Sequence, residues 1–400
     1  MAWRNVRDEE PVAAHVPTLP ASPERIARGA YLARAGNCAA CHTERGGPAY
    51  AGGKGIATPF GTVYASNLTP DADTGIGRWS ADHFWRALHH GRSRDGRLLY
   101  PAFPYPDYTL VTREDSDALY AFLLSQPAVR QPNHAHALRF PYDSQLALAV
   151  WRALFFSPGE FTPQAGRSAE WNRGAYLVRG LGHCQACHTP RNALGATTDR
   201  LELGGGLIPA QNWYAPSLAA PAEAGVQAWT TSEIVRLLKD GTSAKGTAMG
   251  PMAEVVFGST RHLEDADLQA MATFLRELPR HSPPRPEPAQ VSAQVLDLGG
   301  KLYQAQCAEC HGERGEGGGT AYPPLAGHRT VTLASSANLV KVILHGGFPP
   351  TTAGNPRPPG MPPFGQSLTD AEIAALASFV RGSWGNQAPA VTALDVNKRR

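Results

Sequence analysis

The amino-acid sequence predicts an all-α fold made of three small domains in tandem with loop-rich connections. Three observations support this prediction. All six cysteines fall in three widely spaced runs of one pattern. Segments with helical periodicity recur in the same order around each run. At 400 residues the chain is also too long to fold around one hydrophobic core.

Each cysteine run has the form Cys-x-x-Cys-His, which is typical of covalent haem c attachment. The two thiols form thioethers with the haem, and the histidine binds the iron as the proximal ligand. The residues are Cys38, Cys41 and His42, then Cys184, Cys187 and His188, then Cys307, Cys310 and His311. Neither a single redox pair nor a zinc site built from two neighbouring pairs explains three such runs. We therefore expect three covalent haems c in domains like class I cytochromes c.

A helix is predicted to lead into each run. The sequence Arg-Gly-Ala-Tyr-Leu stands at residues 28–32 and again at 173–177, and Gly-Gly-Lys-Leu-Tyr stands at 299–303. A middle helix follows, with Ser or Thr as its cap and Gly at its end. The predicted caps are Ser80, Thr230 and the pair Ser335-Ser336. A closing helix then begins with acidic residues, which suit the positive end of the helix dipole.

These repeats place the domains at residues 24–128, 169–281 and 289–387, here named repeats 1, 2 and 3. The flanking segments are an N-terminal segment at 1–23, a connector at 129–168, a stiff Pro-rich linker at 282–288 and a C-terminal tail at 388–400. Within the connector, the apolar segment Gln145–Phe156 predicts a helix packed on a neighbour. Docking at a membrane interface is the alternative for that helix.

The loop after the middle helix is expected to supply the second axial ligand of each iron. Methionine in that place raises the reduction potential of a haem, and histidine lowers it. In repeat 2 the loop contains Met249 and Met252, and in repeat 3 it contains Met361. Met361 is the only methionine of its repeat, whereas Met271 lies on the apolar face of a closing helix and is expected in the core.

Repeat 1 departs from this scheme. Phe103 stands at the expected ligand position, and residues 2–248 contain no methionine. Three interpretations remain: His89 or His90 binds the iron, Lys54 or another donor binds it, or the iron stays five-coordinate or carries water. We expect the haem of repeat 1 to lack methionine and to have the lowest potential of the three.

The net charge of +3 is small, and it gives no reason to expect a nucleic-acid partner. The motif implies attachment of haem outside the bacterial cytoplasm, so we expect the periplasmic side of the cytoplasmic membrane. The first residues do not form a signal peptide, and Gln145–Phe156 is too short to span a bilayer. We therefore expect that an upstream signal or membrane anchor was removed or lies outside this sequence.

The chain resembles the cytochrome c subunits of membrane-bound bacterial dehydrogenases for alcohols, gluconate, sorbitol, fructose and aldehydes. The resemblance covers nearly the whole chain, and its most specific segments are residues 58–62, 66–71, 250–256 and 383–386. It favours Met252 over Met249 as the iron ligand. The segment 100–105 with Phe103, and residues 133–156, are similar to a subgroup found beside molybdenum hydroxylases such as aldehyde or nicotinate-type dehydrogenases.

This resemblance implies an electron-transfer subunit without a catalytic site of its own. Its implied partners are a catalytic dehydrogenase subunit, favoured to be of the molybdopterin type, a small iron–sulfur subunit, and ubiquinone or a terminal oxidase as acceptor. One alternative is the cytochrome subunit of a PQQ- or flavin-dependent alcohol or sugar dehydrogenase. The others are a haem enzyme with an open iron in repeat 1 and a free-standing electron shuttle.

Overall fold

The computed structural model describes Val12 and residues 22–281, 291–318 and 322–400. The fold is mostly helical, with 43% of the chain in helices. It also contains three small antiparallel sheets, so the prediction of an all-α fold holds only in part. The Pro-rich linker at 282–288 and nearly all of the segment 1–23 lie outside the described residues.

Repeat 1 and the connector contain short helices and one three-stranded sheet. The elements are α1 Pro23–Ala35, α2 Cys38–His42, β1 Gly55–Thr58, β2 Gly61–Tyr64, α3 Ala81–His90, α4 Tyr105–Tyr108, α5 Arg113–Leu124, β3 Ala137–Leu138 and α6 Gln145–Phe155. The sheet has the order β1-β2-β3 and is antiparallel throughout. Gly61 begins β2 with a φ of 126°, a conformation that favours glycine. Helical periodicity in the sequence does not predict this tight hairpin.

Repeat 2 follows the same order of helices, with two short hairpins. Its elements are α7 Ala169–Tyr176, a π-helical turn Leu177–Leu181, α8 Gln185–His188, a 3₁₀ turn Asp199–Leu201, β4 Gly206–Ile208, β5 Trp213–Ala215, α9 Thr231–Asp240, β6 Thr242–Ser243, β7 Gly246–Thr247, α10 Pro251–Gly258, a 3₁₀ turn Thr260–His262 and α11 Asp265–Arg276. The strand pairs are β4-β5 and β6-β7.

Repeat 3 and the C-terminal tail are helical in the part of the chain that the structure describes. Their elements are α12 Ala293–Gln306, α13 Ala308–His311, α14 Arg329–Thr332, α15 Ala337–His345, α16 Asp370–Gly382 and α17 Ala393–Asn397. Their apolar side chains form one core that includes Tyr303, Val340, Ile373 and Val396. The predicted tail therefore contributes a short helix to this core.

The chain divides into two compact units. The first runs to Ala186 and adds Arg191–Arg200 and Gly258–Phe274. The second contains Cys187–Pro190, Leu201–Phe257 and Leu275–Arg400. Repeat 2 therefore contributes to both units, because its first helix and most of its last helix pack with repeat 1.

A close crossing of the first and closing helices recurs in all three repeats. A Cβ atom on Gly29 would lie 1.9 Å from the carbonyl oxygen of Ala118. The same distance is 1.9 Å from Gly174 to Ala270, and 2.3 Å from Gly299 to Ala375. Only glycine permits such an approach between backbones. These glycine contacts also give a structural alignment of the three repeats.

The predicted caps are confirmed in two of the three middle helices. The side chains of Ser80 and Thr230 accept hydrogen bonds from the backbone N–H groups of His83 and Glu233, and both helices end at a left-handed glycine. In repeat 3 only one member of the predicted pair caps the helix: the Ser335 hydroxyl accepts a hydrogen bond from the N–H of Ala337 at 3.3 Å, whereas Ser336 makes no side-chain cap. Its backbone is already helical, whereas a capping residue is usually extended.

The connector contains the predicted helix, α6, packed on its neighbours in the first unit. Leu148, Arg152 and Ala153 are buried. The Gln145 side chain bonds to the backbone of Leu98, and the Trp151 indole N–H donates to the carbonyl of Leu194 at 2.9 Å. Across the described residues, the helices are all too short or too polar to cross a membrane.

Within the first unit, repeats 1 and 2 bind each other through a reciprocal pair of contacts, here named the Tyr–Asp clasp. Tyr176 donates to the Asp115 carboxylate at 2.6 Å, and Tyr31 donates to Asp267 at 2.6 Å. Each carboxylate also bonds an arginine of its own repeat: Arg28 holds Asp115, and Arg173 holds Asp267. The repeated Arg-Gly-Ala-Tyr-Leu sequence thus supplies both an internal bond and a cross-repeat bond.

In the clasp the Asp267 carboxylate stays charged, and both phenols stay neutral. Burial raises the pKa of Asp267, but hydrogen bonds from Arg173 and Tyr31 outweigh burial and hold the pKa below its ordinary value. Burial and the neighbouring carboxylates raise the pKa of both Tyr31 and Tyr176. The Tyr31–Asp267 pair is therefore a charge-assisted hydrogen bond, stronger than a neutral one.

We predict that Tyr176→Phe lowers the free energy of unfolding by about 1–3 kcal/mol, because Asp115 then keeps a buried oxygen without its donor. Thermal and denaturant unfolding of the holoprotein would measure the loss. Tyr142→Phe is the matched control, since 37% of Tyr142 is exposed, and it should change stability little. Equal effects of the two substitutions would contradict a stabilising role for the clasp.

Candidate haem attachment sites

The three cysteine runs adopt the same local structure. Each run ends on a short helix, α2, α8 or α13, that follows the first helix of its repeat. Cys38 begins α2, whereas Cys184 and Cys307 directly precede α8 and α13. No disulfide joins any two of the six cysteines in the described residues. Two thiols three positions apart lie on one side of a helical turn, so both can reach a single porphyrin.

The histidine after each cysteine pair is oriented by a backbone carbonyl. The Nδ1 atom of His42 lies 2.7 Å from the carbonyl oxygen of Ser66. The corresponding distances are 2.8 Å from His188 to Pro216 and 3.0 Å from His311 to Pro323. A bond at Nδ1 fixes the ring and leaves Nε2 as the free donor atom. Three independent loops thus present an imidazole in the form that ligates iron.

Burial lowers the pKa of His42 and of His188. A neutral imidazole is the form that binds a metal, so this shift favours ligation. Two thiols and one carbonyl-oriented imidazole in each run are the donor set that haem c requires. The residues present therefore fit the group that the motif implies.

The loop after the middle helix is here named the distal loop. The structure aligns the distal loops of repeats 1 and 2 residue by residue. The N–H of Leu99 bonds the carbonyl of Gly91 at 2.8 Å, and the N–H of Ala248 bonds the carbonyl of Gly241 at 2.7 Å. Both glycines end a middle helix. Four residues after these N–H groups stand Phe103 and Met252. Phe103 thus occupies in repeat 1 the position that Met252 occupies in repeat 2.

The Met249 side chain lies against the distal loop of repeat 3. Its terminal methyl lies 3.3 Å from where a Cβ of Gly347 would be, and Gly347 pairs with Met361 in the distal loop of repeat 3. Met252 instead lies in the first turn of helix α10. This placement favours Met252 as the ligand in repeat 2. Met271 is 3% exposed and lies in the core, as expected.

The donors considered for repeat 1 have other contacts. Lys54 donates to the carbonyl of Ala40 at 2.7 Å, within the attachment run itself. The His89 ring stacks on Trp85 at 4.4 Å. His90 is 5% exposed and its Nδ1 atom has no hydrogen-bond partner, while its backbone carbonyl bonds Arg152 of α6. None of these side chains stands in the distal loop beside Phe103.

Two aromatic rings join the attachment runs of repeats 1 and 2 in the first unit. The Tyr108 hydroxyl donates to the carbonyl of Gly36 at 3.1 Å, two residues before Cys38. The Tyr108 ring lies 5.5 Å from the ring of His183, the residue before Cys184. Sequence reasoning missed this pair, because no local pattern marks a contact between the distal segment of one repeat and the attachment run of another.

A buried cation distinguishes repeat 3. Arg381 is fully buried, and its guanidinium donates to the carbonyls of Val331, Leu333, Ala334 and Pro389. No carboxylate pairs with it in the part of the chain that the structure describes. Burial lowers its pKa to about 10, so it stays protonated at neutral pH. The aligned residues are Leu124 in repeat 1 and the exposed Arg276 in repeat 2.

Comparison with known proteins gives a consistent result. The cytochrome c family model matches residues 26–127, 172–279 and 296–384. The chain is 41% identical to the cytochrome c subunit of a quinone-type alcohol dehydrogenase from Gluconacetobacter polyoxogenes, over 94% of this chain and 84% of that protein. It is 38% identical to the gluconate 2-dehydrogenase cytochrome c subunit of Pantoea cypripedii, over 94% and 89%. It is 42% identical to one of the subunits of nicotinate dehydrogenase from Pseudomonas putida, over 92% of this chain but only 31% of that protein.

We predict that Arg381→Met lowers the midpoint potential of the haem in repeat 3, because a buried positive charge favours the reduced iron. A redox titration of the holoprotein, followed in its visible spectrum, would measure the shift.

Arg381→Lys retains the charge and should preserve most of the potential, even if it loses stability with some of its hydrogen bonds. Arg276→Met removes an exposed arginine at the aligned position and should leave the potential of repeat 2 nearly unchanged. Equal potentials in the Met and Lys variants of Arg381 would contradict an electrostatic role.

Proposed function

Because the chain belongs to the cytochrome c family, we propose that it carries three haems c and passes electrons from a partner dehydrogenase to an acceptor. The observation that supports this most directly is the threefold recurrence of a cysteine pair beside a carbonyl-oriented histidine. When bound, haem c supplies an iron that accepts and releases one electron. The chain itself contributes attachment, orientation and electrostatic tuning.

The attachment runs, and the aligned loops of repeats 1 and 2, support the following ligand assignment. His42, His188 and His311 would each ligate a haem iron, and Met252 and Met361 would be further iron ligands in repeats 2 and 3. Cys38, Cys41, Cys184, Cys187, Cys307 and Cys310 would form the thioethers. The three repeats would then each be one haem domain, with the bounds 24–128, 169–281 and 289–387.

Contacts between successive repeats support a path in chain order. Tyr108 and His183 lie between the attachment runs of repeats 1 and 2. In the second unit, Met249 contacts Gly347 of the repeat 3 distal loop, and Thr352 donates to the carbonyl of Asp240 at 3.1 Å. These contacts bring haem-binding segments of neighbouring repeats together. Short distances between cofactors are what electron transfer requires of the protein.

The partner that we favour is a molybdopterin-type hydroxylase acting on an aldehyde or an N-heterocycle. Phe103 and the connector support this choice through their resemblance to that subgroup, and one relative belongs to a nicotinate dehydrogenase. The other relatives are subunits of alcohol and gluconate dehydrogenases. A PQQ- or flavin-dependent alcohol or sugar dehydrogenase is therefore the second candidate. Ubiquinone or a terminal oxidase would accept the electrons at the periplasmic side of the membrane.

We predict that the native complex, purified through a tag on this chain, contains a dehydrogenase subunit. Adding an aldehyde or nicotinate to the oxidised complex should produce the absorbance bands of reduced haem c. Bands that appear only with an alcohol, gluconate or fructose would identify the second candidate. A chain that purifies alone and is reduced by none of these substrates would contradict the proposal and favour a free-standing shuttle.

We propose further that the haem of repeat 1 has no methionine ligand and the lowest potential. The expected result of Phe103→Met is a new methionine-to-iron charge-transfer band and a higher potential for that haem. The matched variant is Met252→Phe, which should remove such a band from repeat 2 and lower its potential. Optical spectra with redox titration would measure both.

A wild-type chain that already shows three methionine-ligated haems would contradict this assignment. Carbon monoxide binding to the wild-type haem of repeat 1 would show an open iron. Reduction of peroxide or oxidation of thiosulfate by such a haem would favour the alternative of an enzyme.

A further inference from the structure

The first helices of repeats 1 and 2 use one face to bind each other. Relative to the crossing glycine, the tyrosines of the Tyr–Asp clasp stand two residues later, at Tyr31 and Tyr176. Six residues later stand Ala35 and Gly180, which are both buried. The carbonyl of Ala35 accepts a bond from Ser259 of repeat 2 at 3.0 Å. A Cβ on Gly180 would lie 3.4 Å from Leu110 of repeat 1.

The aligned face of repeat 3 is exposed. Its residues, here named the α12 face, are Leu298, Lys301 and Ala305, which align with Arg28, Tyr31 and Ala35. Leu298 is 40% exposed, and Ala305 is exposed where Ala35 is only 4% exposed. A shallow depression beside them is lined by Gly300, Gln304 and Phe379, among others. The small residue that permits close approach in repeats 1 and 2 is thus kept in repeat 3.

The charges of this face complement each other. Glu372 aligns with Asp115 and Asp267, the carboxylates of the clasp. Lys301 replaces the tyrosine that would reach such a carboxylate from the other side. Glu372 caps its own helix through Thr369 but has no ion pair among the described residues. Lys301 bonds Asp297, in an exposed pair that contributes little.

We propose that the α12 face binds the α12 face of a second copy of this chain, in the reciprocal arrangement that repeats 1 and 2 adopt with each other. Lys301 of each copy meets Glu372 of the other, as Tyr31 meets Asp267 and Tyr176 meets Asp115. Leu298 replaces the arginine that satisfies the carboxylate internally, so Glu372 is left for the partner copy. A twofold pair of opposite charges around an apolar centre is a self-complementary interface.

This dimer does not depend on the identity of the dehydrogenase. Two chains paired in this way would place their third haem domains side by side. The corresponding face of the first helix would then make two kinds of contact. It joins repeats 1 and 2 within one chain, and it joins the third repeats of two chains.

Sedimentation velocity of the full-length holoprotein over a dilution series tests the proposal. The wild type should form a dimer. Lys301→Glu places like charges opposite each other and should raise the dimer dissociation constant at least about tenfold. The double variant Lys301→Glu with Glu372→Lys restores opposite charges and should restore the dimer. Arg357→Glu, an equal charge reversal at an exposed site in repeat 3, should leave dissociation unchanged.

Thermal unfolding of each variant controls for loss of the fold, because Glu372 also caps α16. A wild type that is monomeric at every concentration overturns the proposal. A dimer that Lys301→Glu leaves intact overturns the choice of face. A double variant that remains monomeric while folded overturns the pairing of Lys301 with Glu372.

Discussion

The close crossing of first and closing helices is the constraint on which each candidate haem attachment site depends. Gly29, Gly174 and Gly299 let the first helix lie against a backbone carbonyl of the closing helix. The cysteine run follows the first helix within a few residues, so this crossing decides where the thiols and the histidine stand. Any side chain at these glycines would push the attachment run away from its carbonyl partner. In each repeat, one backbone contact thus determines the position of the residues that would attach the haem.

Much of this arrangement is predictable from sequence because it is local. The attachment runs, the helices, the caps at Ser80 and Thr230, and the position of Phe103 all depend on neighbouring residues. The hairpins escaped prediction because they are short and lie between helical signals. The Tyr–Asp clasp escaped because Tyr31 and Asp267 are far apart in the chain. The repeated Arg-Gly-Ala-Tyr-Leu was visible, but only the fold shows that its tyrosines cross between repeats.

The three repeats differ in the partners of their buried charged side chains. In repeats 1 and 2, each buried aspartate bonds an arginine and a tyrosine, so charge is neutralised where the repeats meet. In repeat 3, Arg381 is buried against carbonyl dipoles alone. Carbonyl oxygens satisfy its hydrogen bonds without cancelling its charge, which is the costlier arrangement for stability. An effect of this charge on the proposed haem of repeat 3 would give the costly arrangement a function.

These differences predict the direction of electron transfer through the three repeats. In the proposed ligand assignment, repeat 1 lacks the methionine that raises a potential, whereas repeat 3 combines Met361 with a buried cation. Both effects act in the same sense, so the potential should rise from the first repeat to the third. The contacts at Tyr108–His183 and Met249–Gly347 follow the same order along the chain. Since electrons move towards higher potential, repeat 1 is the expected point of arrival from the dehydrogenase, and repeat 3 is the expected point of departure.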